Sequence, residues 1–307
     1  MKSFSLFLLG LFFLISAKAQ DPIFTQKNGN MLHYNPALVG TQSDFAVGLN
    51  YRNQWPGIEG NPITSSLVLN YNLKNGIGFG FSSMRDKIGF LIDDAIKSNI
   101  NYTKTFKQVE FKIGVNVGLI QRHLDLSRAR FRDPMDPVLD HLDSKKNIAL
   151  DVGTAGYYKG FMFGVAVHQF NKPNISLFGG TSKLGERYVV NLGYHKELKH
   201  ITLGGLGTFQ HQYKTSTLDY QLLSQYRFVK LGLGYRQVFG QLSNSDWFMA
   251  SVGLQFDKFS LNYTYEDDPF ENRSSIVIQG THEATIAWYI KGLRKENGLS
   301  KLMQTIL

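Results

Sequence analysis

Between Val109 and Leu119 the chain reads V-E-F-K-I-G-V-N-V-G-L. Successive side chains of a β-strand point to opposite faces. Val109, Phe111, Ile113, Val115, Val117 and Leu119 therefore share one face, and Glu110, Lys112, Gly114, Asn116 and Gly118 share the other. At ~3.3 Å per residue the run extends about 36 Å, enough to cross a bilayer core of ~30 Å at a tilt. A strand of this length with charge on one face only suits a wall between lipid and water. The same pattern recurs along the chain, which predicts an all-β outer-membrane barrel with lipid outside and water or a plug inside. A soluble β-sandwich or propeller is the alternative, but it needs neither strands this long nor so apolar an exposed face.

The alternation predicts about fourteen antiparallel strands, an even number as bacterial barrels require. They fall near Asp44–Trp55, Ile63–Leu73, Gly76–Met84, Ala95–Phe106, Val109–Gln121, Asn147–Tyr158 and Phe161–Phe170. Arg187–Lys196, His200–Gln210, Thr217–Phe228, Val229–Gln237, Trp247–Phe256, Phe259–Asp267 and His282–Lys291 complete the set. Gly204-Gly205 blurs the pattern of the ninth. Lys74-Asn75, Lys107-Gln108, Lys159-Gly160 and Asp257-Lys258 read as tight turns, and the connections between them as long loops, the longest being Arg122–Lys146. Barrels keep short turns in the periplasm and long loops at the cell surface. A periplasmic start of the first strand puts every long connection outside.

The first residues fit this destination. Lys2 precedes an apolar run from Phe4 to Ile15, and Ala17-Lys18-Ala19 is a cleavage signal of the A-x-A type. The run is shorter than the ~20 residues of a spanning helix. Residues 1–19 therefore read as a signal peptide, 20–43 as an N-terminal segment able to plug the barrel, 44–291 as the barrel and 292–307 as a periplasmic tail. Cysteine is absent, so no disulfide, thiolate metal site or Cys nucleophile exists. The formal charge is +9, but the basic residues are scattered, which argues against nucleic acid. Contact with acidic outer-membrane lipid or an acidic protein suits them better.

Glycines fall on the inner face: Gly78, Gly80, Gly114, Gly118, Gly153, Gly164, Gly193, Gly232, Gly234 and Gly253 alternate with large apolar residues. No strand–loop–helix context turns them into a nucleotide cradle; they leave room for curvature or for something filling the lumen. Arg52, Glu110, Lys112, Asp151, Asp219, Arg227, Lys230, Arg236 and Glu283 are expected inside as paired ions or as a binding surface for a guest. Trp55, Tyr102, Tyr158, Tyr265 and Trp288 at strand ends suit interfacial girdles. The eight histidines form no H-E-x-x-H, and no spacing selects a Ser–His dyad. Asp133, Asp136 and Asp140 lack the spacing and glycine of a calcium loop, and Arg128–Arg132 reads as a solvated basic loop. No enzyme chemistry, cofactor or metal is expected.

Three stretches then carry a resemblance: Asp21-Pro22-Ile23-Phe24-Thr25-Gln26, Asn35-Pro36-Ala37-Leu38-Val39-Gly40 and Tyr51-Arg52-Asn53-Gln54-Trp55. Asp86-Lys87-Ile88-Gly89, assigned to the second surface loop, Val167–Pro173, Gly234-Tyr235-Arg236 and Gly280-Thr281-His282-Glu283 follow in order. Together they resemble the PorP/SprF family of the type IX secretion system of Bacteroidetes. The resemblance implies a non-enzymatic outer-membrane barrel that works with other secretion components. It would export or hold secreted proteins such as gliding adhesins by binding their C-terminal sorting domains. Arg52, Gln54, Trp55, Arg236 and Glu283 join motif matches to inward or strand-end positions, and are the candidate partner-binding residues. Asn35, Pro36 and Ala37 mark the N-terminal motif. The tail from Gly292 departs from the family pattern. A fatty-acid or hydrophobic-compound channel is the runner-up, since such barrels also have a plug with an Asn-Pro-Ala element. Its lumen would be apolar, whereas the inner positions here are mostly Gly, Asn, Thr and charged.

Overall fold

The computed structural model describes residues 21–290 apart from 42, 74, 128, 130–143, 178–179, 241–244 and 268–279. Among these residues the strands are β1 Phe45–Gln54, β2 Ile63–Asn72, β3 Ile77–Ile88, β4 Leu91–Phe106, β5 Val109–Leu124, β6 Lys145–Tyr158 and β7 Phe161–His168. Then come β8 Arg187–Glu197, β9 Ile201–Gln212, β10 Thr215–Tyr226, β11 Val229–Gly240, β12 Ser245–Gln255, β13 Phe259–Asp267 and β14 Thr281–Ile290. Each pairs antiparallel with its sequence neighbours, and β1 closes on β14 from Phe45↔Ile290 to Gln54↔Thr281. Closure leaves no edge strand with unpaired backbone groups, the condition a sheet must meet in lipid. Among the described residues no helix is long and apolar enough to cross a membrane. The proposed signal peptide, most of the loop that carries Arg128, Asp133, Asp136 and Asp140, and the tail lie outside the described residues.

β5 shows how the pattern becomes a wall. Phe111, Ile113, Val115 and Val117 face outward and are exposed, Val117 at 56%, while Lys112 and Asn116 face inward and are buried, Asn116 at 1%. The inner face here is packed rather than washed, because Asn116 Nδ2 donates to Asp151 Oδ2 at 3.0 Å and an N-terminal residue, Leu32, lies against it.

Three expectations need correction. The β3–β4 connection is the two-residue turn Gly89-Phe90, with Ile88 opposite Leu91, so Asp86–Ile88 belong to β3 and not to a surface loop. Gly89 takes φ +59, which supplies the left-handed residue that a tight hairpin requires. On the same end the β9–β10 connection is also short, Tyr213-Lys214. Arg227 occupies the β10–β11 turn with φ 54 and is exposed, so it is no lumen residue. Gly204-Gly205 does not weaken β9, whose backbone is fully paired with β8 and β10.

The segment from Asp21 to Thr41 lies inside the ring of strands. It contains a helical turn, Met31–Tyr34, flanked by short 3-10 turns at Asn28–Asn30 and Pro36–Leu38. Phe24, Leu32, Tyr34, Ala37 and Val39 are almost fully buried, and their clusters include wall residues such as Val68, Ala155, Met162, Ala166 and Val189. A second inward element is the β7–β8 connection: Ile175 and Leu184 pack on Ala95, Ile120 and Ala149 of β4, β5 and β6.

Candidate functional site

Two sets of inward side chains hold the segment. The first lies on β1, β10, β11, β13 and β14. Arg52 donates to Glu266 through two bonds of 2.9 and 3.0 Å and meets Glu283 at 3.3 Å. Arg236 donates to Asp219 at 2.7 and 3.1 Å and reaches Glu266 at 3.1 Å. Lys27, from the segment, completes the array with Asp219 at 2.7 Å. All six groups are buried. Buried charges survive only when paired and hydrogen-bonded, and here three cations alternate with three carboxylates. Glu283 also receives the backbone N–H of Thr25 at 2.7 Å and of Gln26 at 3.0 Å. Its carboxylate thus binds the segment's main chain as well as its wall neighbours.

The second set lies on β4 to β8. Asn35 caps the turn that follows it: its Oδ1 accepts from Ala37 N at 2.9 Å, while its Nδ2 donates to Thr154 O at 3.1 Å. Pro36 at the first position of that turn has no N–H to leave orphaned. The wall beneath is built of glycines. A Cβ on Gly164 would stand 2.8 Å from Asn35 Nδ2, and one on Gly153 would strike Asn35 and stand 2.9 Å from Pro36 Cδ; one on Gly114 would strike the Pro36 carbonyl. These inner glycines are the seat of the Asn35-Pro36-Ala37 motif, so close approach explains them. Nearer the loop end, Lys97 meets Asp151 at 2.8 Å and His168 Nε2 meets the Tyr34 carbonyl at 3.1 Å. There Arg187 joins Asp21 at 3.1 Å and the His33 carbonyl at 2.6 Å.

The candidate residues therefore divide. Arg52, Arg236 and Glu283 sit in one network, and Asn35, Pro36 and Ala37 in one seat. Gln54 and Trp55 stand apart at the loop end of β1, where Gln54 N donates to Pro62 O at 3.0 Å and the Trp55 ring lies 6.1 Å from Trp247. Sequence reasoning placed Glu110, Lys112, Asp151, Asp219 and Lys230 inside, and they are buried there. It missed Lys27, Lys97, His168, Arg187 and Glu266. Alternation within Ala95–Phe106, Arg187–Lys196 and Phe259–Asp267 already puts Lys97, Arg187 and Glu266 on inner faces, whereas Lys27 has no strand period to reveal it. At the rim Lys87 meets Asp125 at 3.1 Å, and Ser127 and Lys87 hold the Asp125 carboxyl down to about 2. No group of three or more metal-ligating side chains occurs among the described residues.

The profile of the family described as "Type IX secretion system membrane protein PorP/SprF" matches residues 16–288. No curated protein matches. Among solved structures, the outer membrane protein Omp33 of Acinetobacter baumannii is similar at a TM-score of 0.50 and 7% identity, over 82% of this chain and 100% of that one. The CymD monoaromatic hydrocarbon channel has a TM-score of 0.49 at 11% identity, over 89% of this chain and 94% of that one. Omp33 shares the barrel fold and, at that identity, nothing further. The closed fourteen-strand ring and the family profile over most of the chain lead to one assignment: the chain belongs to the PorP/SprF family of type IX secretion system membrane proteins and resides in the outer membrane.

Proposed function

We propose that this barrel is a non-enzymatic holder that supports export or surface attachment of particular secreted proteins by binding their C-terminal sorting domains. The observation that carries this reading is the bonding of the N-terminal segment to inward-facing side chains. Residues 21–41 bond to the inner wall on both sides, at Glu283 and Asp219 on one and at Thr154 and Asp151's neighbours on the other. A barrel filled in this way suits docking at its mouth and rim better than free passage of solutes. In this reading Asp21–Thr41 is a plug, the wall beside it is fixed by Arg52, Arg236 and Glu283, and Gln54 and Trp55 shape the rim where a guest arrives. The mostly polar interior also disfavours a channel for hydrophobic compounds.

A strain lacking the gene should lose surface display of at least one secreted protein that carries a sorting domain, with other outer-membrane proteins retained. Unchanged surface proteins together with reduced fatty-acid uptake would replace this reading with the channel. The plug has its own test. In planar bilayers the intact chain should conduct poorly and a chain without residues 21–41 freely; equal conductance of two folded barrels would reject it.

A further inference from the structure

A row of inward residues crosses five strands at one height: Arg52, Thr64, Asp86, Asp93 and Arg122, each directly opposite the next. Its middle carries two carboxylates side by side. Like charges directly opposite on one sheet face repel. Arg122 answers Asp93 through bonds of 2.6 and 2.5 Å, and Arg52 is taken up by Glu266 and Glu283. Among the described residues Asp86, 5% exposed, accepts only the Thr64 hydroxyl, at 2.6 Å. Asp21, Asp93, Asp151, Asp219, Glu266 and Glu283 each have a cationic nitrogen within 3.3 Å, and among the described residues Asp86 has none. A second, separate observation lies beside it. Gln169 is 2% exposed, donates its amide to Asp21, and leaves its buried Oε1 without a donor.

Asp86, Asp93 and Gln169 line one cavity of about 40 Å³. That is room for about three water-sized groups. Its remaining wall includes Met84, Ile120 and Leu184, together with His33 and two cations already taken up by carboxylates, Lys97 by Asp151 and Arg122 by Asp93. The cavity reaches solvent at the loop end, where the Asp93 side chain is 25% exposed. A carboxylate short of a cation, an amide oxygen short of a donor and an aliphatic wall describe the complement of a basic side chain. The ammonium head would meet Asp86 and Gln169, and its methylene stem would lie on the apolar residues, as amphipathic cations do. We propose that this cavity at the surface end of β3 and β4 accepts the end of a lysine side chain of the guest polypeptide. The proposal rests on the reading of the barrel as a holder of guests and adds what part of the guest is read.

The test uses the full mature barrel in detergent micelles, with N-acetyl-lysine methylamide as probe and saturation-transfer NMR as readout. Binding should saturate, and should weaken at least tenfold in Asp86→Asn. Met84→Trp, which fills the cavity but keeps the carboxylate, should weaken it similarly and answers the question if Asp86→Asn does not fold. Asp94→Asn should leave it unchanged, because Asp94 faces outward and pairs with Arg85 at 2.7 Å. The norleucine analogue binding as well as lysine would overturn the proposal, since the charge would then be idle. So would calcium displacing lysine at lower concentration, or an unchanged affinity in folded Asp86→Asn. Loss of the pocket's binding with intact dependence of surface display on the gene would reject the pocket alone; the reverse outcome would reject the holder.

Discussion

The two sides of the N-terminal segment are fastened by different physics. Toward β1 and β10–β14 the fastening is ionic, with Lys27, Arg52 and Arg236 set against Asp219, Glu266 and Glu283 in a buried interior. At the glycines of β5 to β7 it is steric, with Asn35 and Pro36 pressed onto their backbone. The ionic side depends on every member being present, because each ion left alone bears its full desolvation penalty. The steric side depends on atoms being missing, because its wall works through absent Cβ atoms. One segment therefore tolerates change in opposite ways at its two contacts: deletion injures one side and addition the other.

The largest expected effect breaks the ionic side. Arg236→Met leaves Asp219 and Glu266 with one cation fewer each, and should lower stability by about 3–5 kcal/mol in urea unfolding from bilayers. A loss below 1 kcal/mol would mean the ions are dispensable and the contrast false. Next comes addition to the steric side. Gly153→Ala drives a methyl into Asn35 and Pro36 and should cost about 1–3 kcal/mol, with faster protease cutting within residues 21–41. Gly156→Ala on the same strand meets nothing within 4 Å and should change stability by less than about 0.5 kcal/mol. Equal effects of the two alanines would remove the steric seat. Asn35→Ala takes away the cap and a donor to Thr154 O; about 0.5–2 kcal/mol is expected in the same unfolding measurement, and Asn35→Asp, which keeps the cap but buries an unpaired carboxylate against the Thr154 carbonyl, should recover none of it. The smallest effect is that of salt. The buried ions lie beyond the reach of screening, so raising NaCl from about 0.1 to 1 M should leave segment protection unchanged, and a clear salt dependence would put these groups in water.

Much of the barrel was legible because lipid imposes a period of two that no other solvent enforces so strictly. All fourteen strands follow from alternation, and β13 matches residue for residue. Hairpins were less legible. Asp86–Gly89 looks like a loop because two charges interrupt the apolar pattern, yet Lys87 lies at the rim and Asp86 points inward, where a charge is allowed. Arg227 was misplaced for the converse reason: alternation carried past the end of β10 assigns a face to a turn residue that has none.

By itself the sequence determined the class of wall, its strand number, the two faces of each strand and the family of the protein. These follow from local spacing, since one residue of slip would put charge into lipid. Only the tertiary structure decided which wall residues the N-terminal segment meets and which ions pair. Lys27 and Asp219 are 192 residues apart, and Thr25 and Glu283 are 258 apart. No local period encodes such pairings; they arise when the ring closes and brings β10 and β14 against the same few residues of the threaded segment. The glycines of β5 to β7 mark the boundary between the two kinds of knowledge. Their inward position was visible in the chain, and their reason, the Asn35-Pro36 backbone lying on them, exists only in the closed barrel.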